Sequence, residues 1–315
     1  MRYKFLILLS LITFLSVAAF SQTRRPPAAR TASVRTLTVI TEPKAKVWMD
    51  DVLRGTTDQS GKLLIKPVPS GAHKIRVRAD GFKEITVSVL PAQKGDVKAA
   101  LTKTTDEAEL AFQRAEVELK NDRSRAIEYY RKAIAARPSF PEAQLALARV
   151  LYDKDEYEEA LKAIAEARKL RPVYPEVTAV EGRIFKAFGE EEKAIAAYNR
   201  AIREGKGFQP EAHTGLALIY KERAEVFMLG GDVQNAGDNY DLAAGELKTG
   251  LRQLSGAPDA KDLFQILADI YYRARRYREA IDTYEEFLKV FPDSNEALTI
   301  RSLIVQTKKE MEEQQ

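Results

Sequence analysis

The chain of 315 residues has no cysteine, only two histidines and a single tryptophan. Without cysteine there is no disulfide, no thiol nucleophile, no lipid-modified N-terminal cysteine and no thiolate metal ligand. His73 and His213 stand in no metal-ligand spacing. A phosphate loop, a dinucleotide glycine fingerprint, HExxH and GxSxG are all missing. Gly205-Lys206-Gly207 lacks both the preceding loop and the following Ser/Thr of a phosphate-binding turn. Asp50, Asp51 and Asp58 can gather around a turn, yet they lack the alternate-ligand spacing of a calcium loop and read as solvated turn carboxylates. The expectation is therefore a protein without enzymatic activity, cofactor or metal. A net charge of +4, with no cluster of basic and aromatic residues, gives no reason to expect nucleic acid as a partner.

Long hydrophobic runs are equally scarce. The one present is N-terminal: Arg2 and Lys4 precede an apolar stretch from Phe5 to Ala19, and Ala19 and Ser21 supply small residues before Gln22. This is the pattern of a cleaved secretory signal over 1–21. The run is short against the roughly 20 residues of a spanning helix, and no second run of that length follows. Cleavage would remove two cations and leave a charge of +2. An exported protein is expected, periplasmic, held at the cell envelope or secreted. Residues 22–35, QTRRPPAARTASVR, offer little to bury and read as a basic, Pro-rich linker. Its arginines, Arg24, Arg25, Arg30 and Arg35, suit either a solvated spacer or contact with an anionic envelope surface.

What remains divides in two. Over 36–102 short alternating runs (36–40, 45–49, 62–66, 73–78, 83–90 and 96–101) are separated by turn chemistry such as Asp50-Asp51, Ser60-Gly61 and Asp80-Gly81. The spacing predicts a small all-β sandwich. In HKIRVR, Ile75 and Val77 would face the core, with Lys74, Arg76 and Arg78 in water. The stretches VITEPKAKVWMDDVLRGTT and VPSGAHKIRVRADGF resemble a PEGA domain, a β module of bacterial envelope and surface proteins. Ser70 replaces the acidic residue of the name-giving tetrapeptide, and Asp51 stands where a turn glycine is usual. The resemblance carries no catalytic set.

From Glu107 onward Ala, Leu, Glu, Lys and Arg dominate, as in helices. Ala126, Ala160 and Ala194 repeat at 34 residues, as do Ala133, Ala167 and Ala201, and Pro138 with Pro172. A fixed period of this size predicts stacked helix pairs, since one unit cannot bury its apolar face alone. Units fall at about 107–138, 141–172, 175–206, 210–254 and 261–292, with a capping helix and tail over 294–315. The step then widens to 42 at Ala236 and to 44 at Ala280, so extra residues are expected around 222–232 and 248–261, in lengthened helices or loops. Small residues such as Ala148 and Gly182 would let helices approach, and Tyr130, Tyr198, Tyr240 and Tyr284 would fill space between units.

This pattern resembles the tetratricopeptide repeat over 107–292. The resemblance implies an all-α solenoid whose first helices line a groove for a protein or peptide. Groove positions would include Arg149, Tyr152, Arg183, Lys186, Lys221, Tyr272 and Arg273. Their basic bias predicts a partner with acidic groups. The in-register asparagines of carboxylate-clamp arrays are missing. The expected function is a non-enzymatic exported scaffold at the cell envelope. The alternative is a structural envelope protein whose β module binds polysaccharide or peptidoglycan.

Overall fold

A computed structural model describes residues 35–313, which fall in a single compact unit. The signal peptide read at 1–21, and the basic segment apart from Arg35, lie outside the described residues. No helix among the described residues is long and apolar enough to cross a membrane.

Seven strands form the N-terminal module: β1 (Leu37–Ile40), β2 (Lys46–Met49), β3 (Val52–Thr56), β4 (Lys62–Ile65), β5 (His73–Arg78), β6 (Ile85–Val89) and β7 (Gly95–Lys98). They make a three-stranded sheet, β4-β1-β7, and a four-stranded sheet, β3-β2-β5-β6. All pairings are antiparallel except β1 with β7. Alternation does the sorting. Leu37, Val39, Val47, Met49, Ile75 and Val77 share the buried core, and the intervening residues face outward.

Strand β3 is one the sequence pattern did not reveal. Asp50 and Asp51 both take left-handed φ, 50° and 64°, in a two-residue hairpin between paired Met49 and Val52. That turn needs φ > 0 at both positions, which Asp tolerates better than most residues. The following VLRGT escaped notice because Arg54 and Gly55 interrupt its alternation, and a bulge between Val47 and Trp48 shifts the register.

Arg35 departs from its expected place in a free linker. Its guanidinium donates to the carbonyls of Gln93 (2.9 Å), Leu90 (2.6 Å), Gly71 (2.9 Å) and Pro69 (3.2 Å). It ties together two loops, β4–β5 and β6–β7, at one end of the sandwich.

The helices pair as α1 (Glu107–Glu118) with α2 (Arg123–Ala136), α3 (Pro141–Tyr152) with α4 (Tyr157–Leu170), and α5 (Pro175–Ala187) with α6 (Glu191–Glu204). Then follow α7 (Pro210–Leu229) with α8 (Val233–Leu254), α9 (Ala260–Arg273) with α10 (Tyr277–Val290), and the last helix, α11 (Ala297–Glu313). Pro141, Pro175 and Pro210 open first helices at positions where a missing N–H costs nothing. Asp106, Asp122 and Asp232 cap others by accepting from backbone N–H groups. Ala126, Ala160, Ala194, Ala236 and Ala280 are fully buried where paired helices touch.

The widened steps are helix, not loop. α7 has 20 residues and α8 has 22, against 13 or 14 in their neighbours. Exposed Val226, Leu229 and Val233 form the tip of this long hairpin. At its other end α8 runs on to Leu254, and there it meets the β module.

Candidate binding chamber

The four-stranded sheet turns its outer face towards the first helices of the array. Two seams hold it there. At the first, Gln113 of α1 accepts from Gly81 N (2.8 Å) and donates to Phe82 O (2.7 Å). Glu109 accepts from Glu84 N (2.7 Å). Arg78 reaches Glu116 (2.9 Å) and Glu84 (2.5 Å), and its guanidinium lies 4.5 Å from the Phe112 ring centre. Arg78 is therefore not in water, as the alternation had suggested, but 8% exposed. Burial disfavours its charge, but Glu116 and Glu84 outweigh that and the net pKa shift is upward. The alternation rule held, but the polar face of this strand meets protein instead of solvent.

At the second seam Arg54 donates from Nη1 to Leu254 O (2.6 Å), which also accepts from Ala257 N, and to Ser255 O (3.0 Å), carbonyls at the end of α8. Burial lowers its pKa to about 10, with Asp50 opposing the fall, so the group remains charged at neutral pH. Val52 joins the apolar cluster of α7 to α10.

Between the seams lies a cavity of about 1250 Å³. Its sheet-side wall includes Trp48, with Arg76 stacked 4.3 Å from the ring centre. Its helical wall comes from α3, α5, α7 and α9. Tyr198 of α6 enters through a slot between α5 and α7. A Cβ at Gly182 would stand 2.8 Å from its ring, and one at Gly215 only 2.2 Å. These two glycines admit the aromatic ring, which lies closer to both backbones than any real Cβ contact would allow.

Four of the seven groove positions inferred from sequence line this cavity: Arg149, Tyr152, Arg183 and Lys186. Lys221, Tyr272 and Arg273 do not. The expected free basic groups are not found. Arg149 pairs with Glu211 (2.5 Å), and Arg183 with Glu211 (3.4 Å) and Asp153 (3.7 Å) while stacking on Tyr152. Lys186 holds Glu222 (2.6 Å), and Lys221 holds Glu225 (2.7 Å) and Asp269 (3.4 Å). Arg273 shares Asp269 (2.9 Å) and Glu225 (3.3 Å). Tyr272 donates to Glu310 (2.6 Å) on α11, which pushes its pKa up to about 12. A list of basic residues could not show these pairings, because each carboxylate comes from a neighbouring turn or unit.

The groups that lack ion-pair partners are acidic. Glu176 at the start of α5, with Asp259 and Asp262 at the start of α9, lines the chamber without an ion pair among the described residues. Burial raises the pKa of Glu176, its own backbone N–H and Arg149 oppose the rise, and Asp51 and Glu211 add to it. Burial likewise raises that of Asp259, with Asp262 and Glu211 adding and Arg149 opposing. Nothing in the sequence marked Asp259, Asp262, Trp48 or Asp51 as lining one space with Glu176. Only the seating of the sheet on the array brings them together.

The three turn aspartates diverge. Asp50 accepts from His73 Nδ1 (2.6 Å) and Lys74 N (2.9 Å), Asp51 faces Arg76 (3.5 Å), and Asp58 accepts from Ser60 and Lys62. No group of three or more His, Asp or Glu among the described residues is arranged to hold a metal ion.

Residues 119–184 and 267–314 each match a family model of the tetratricopeptide repeat, so the helical region carries such repeats. Comparison with curated proteins finds no match. Among solved structures the chain is similar to yeast Tom70, with 17% identity over 66% of this chain and 41% of that one, at a TM-score of 0.51. It is also similar to TTC0263, a thermophilic TPR protein of Thermus thermophilus, with 19% identity over 64% and 98% of the two chains and a TM-score of 0.47. A third is MamA, with 18% identity over 60% and 94% and a TM-score of 0.41. At these identities what is shared is the fold. The chain spans less than half the length of the Tom70 chain.

Proposed function

We propose that this protein is an exported, non-enzymatic scaffold of the cell envelope that holds a protein or peptide partner between a PEGA-like β module and a tetratricopeptide array. The observation that carries this reading is the chamber of about 1250 Å³, whose walls come from both parts of the chain. Export rests on the N-terminal pattern and on the envelope association of modules that this β region resembles. A partner segment entering the chamber would meet Tyr152 and Leu145 on one side and Trp48 on the other.

The alternative, a β module that binds polysaccharide on its own, has less support. Its one tryptophan faces the chamber, where the array limits access by a long glycan. The test is site-specific photo-cross-linking in the native envelope. A cross-linker at Leu145 is expected to capture a defined protein, and one at exposed Lys162 on the outer helix α4 is expected not to. Equal capture from both sites, or none from Leu145, overturns the reading.

A further inference from the structure

The chamber's own chemistry identifies what kind of partner it suits. Carboxylates outnumber cations on its walls, and each lining cation already has a carboxylate. Arg171, for example, is taken by Glu142 and Arg149 by Glu211. Glu176 and Asp259 have no such counterpart. Both line the same cavity as the Arg149–Glu211 pair, Glu176 from the start of α5 and Asp259 from the start of α9.

A second, independent observation lies beside them. Tyr198 and Tyr174 are 1% and 5% exposed and line the chamber. Neither hydroxyl makes a hydrogen bond among the described residues, and neither oxygen is wholly buried, so both keep access to open space. The slot formed by Gly182 and Gly215 passes the Tyr198 ring between two helices into the chamber lining. Two unpartnered hydroxyls and two carboxylates without ion pairs, Glu176 half-buried and Asp259 exposed, thus line one open chamber.

We propose that the chamber receives a basic, extended peptide segment of the partner, its lysine or arginine groups held by Glu176 and Asp259 and by the hydroxyls of Tyr198 and Tyr174. This rests on the reading of the chamber as the partner site, and it reverses the acidic partner that the sequence suggested. Carboxylates and tyrosine hydroxyls accept from ammonium and guanidinium donors. A cation would also lower the cost of keeping Glu176 ionised in a desolvated place.

Trp48 is the only tryptophan, so its fluorescence reports on the chamber alone. The full chain is titrated at about 150 mM salt, where weak surface attraction is screened. The probes are a capped peptide of alternating arginine and serine and its glutamate counterpart, with calorimetry alongside. The arginine peptide is expected to shift Trp48 emission and to bind at least about tenfold more tightly than the glutamate peptide. The pair Glu176→Gln and Asp259→Asn, with folding checked by circular dichroism, is expected to weaken it about tenfold or more, a loss near 1.4 kcal/mol. Preference for the glutamate peptide, a silent Trp48, or unchanged affinity in the double variant overturns the proposal. Cross-linking from Leu145 keeps the two ideas apart. A captured partner with an acidic segment leaves the scaffold reading standing and removes this one.

Discussion

The two seams that hold the β module are built from different materials. The α1 seam joins residues 25 to 38 positions apart and satisfies four part-buried groups of the module: Gly81 N, Phe82 O, Glu84 N and the Arg78 guanidinium. The α8 seam joins Arg54 to carbonyls about 200 positions away, with one guanidinium and the Val52 side chain. Closing a short loop costs less entropy than closing a long one, and the first seam is also richer in bonds. The difference shows which side yields: the module is anchored at α1 and latched at α8. The chamber should open by release of the latch.

Removing the anchor has the largest expected effect. Arg78→Leu leaves Glu84 and Glu116 in partly buried places, with Arg76 at 3.4 Å from Glu84 and Lys46 at 3.2 Å from Glu116 in compensation. Breaking a buried pair by deleting one partner costs about 3–5 kcal/mol. Urea denaturation should show a loss of that order. The double variant Arg78→Leu with Glu116→Leu should recover part of it, because the orphaned charge goes too. A loss below about 1 kcal/mol would mean that water already serves these carboxylates and that the anchor is weaker than its bonds suggest.

Cutting the latch should cost less and act locally. Arg54→Ala removes two charge-assisted bonds to helix-terminal carbonyls, worth about 1–2 kcal/mol. The sharper signature is spatial. Amide exchange in the β2–β3 hairpin is expected to accelerate while the amides of Gly81 and Glu84 at the α1 seam keep their protection. Acceleration spread evenly over both seams would erase the distinction between anchor and latch.

Much of the architecture was legible because its causes are local. The 34-residue step, the opening prolines and the buried alanines each act within one unit, so their spacing carried the array and its boundaries. The two widened steps were visible as extra length, yet only the structure shows them as added turns of α7 and α8, one of which delivers Leu254 to Arg54. The chamber was legible only in part. Arg149, Tyr152, Arg183 and Lys186 were found from repeat register, but their pairing with Glu211 and Glu222 depends on which turns stack. Ile75 and Val77 took the core face that alternation gave them, whereas Arg78, expected in water, is buried against α1. Alternation states which face is polar and is silent on what that face meets.

Between anchor and latch, Glu176 offers the smallest and most selective probe. Its carboxyl sits above the ordinary carboxylate range because burial, then Asp51 of the β2–β3 hairpin and Glu211, disfavour its charge against its own backbone N–H and Arg149. A carboxyl whose folded pKa is raised binds its proton more tightly in the native state than in the unfolded one. Its contribution is therefore unfavourable above the folded pKa, shrinks as pH falls, and vanishes below the unfolded value. Glu176→Gln should raise Tm by about 1 °C at neutral pH and lose that advantage in acid. Asp51 lies on the latched hairpin, so the repulsion it adds should push the latch open. In the Arg54→Ala background, where the hairpin can retreat, the gain from Glu176→Gln should be smaller. Equal gains in both backgrounds would show that the chamber wall and the latch do not communicate through this pair of carboxylates.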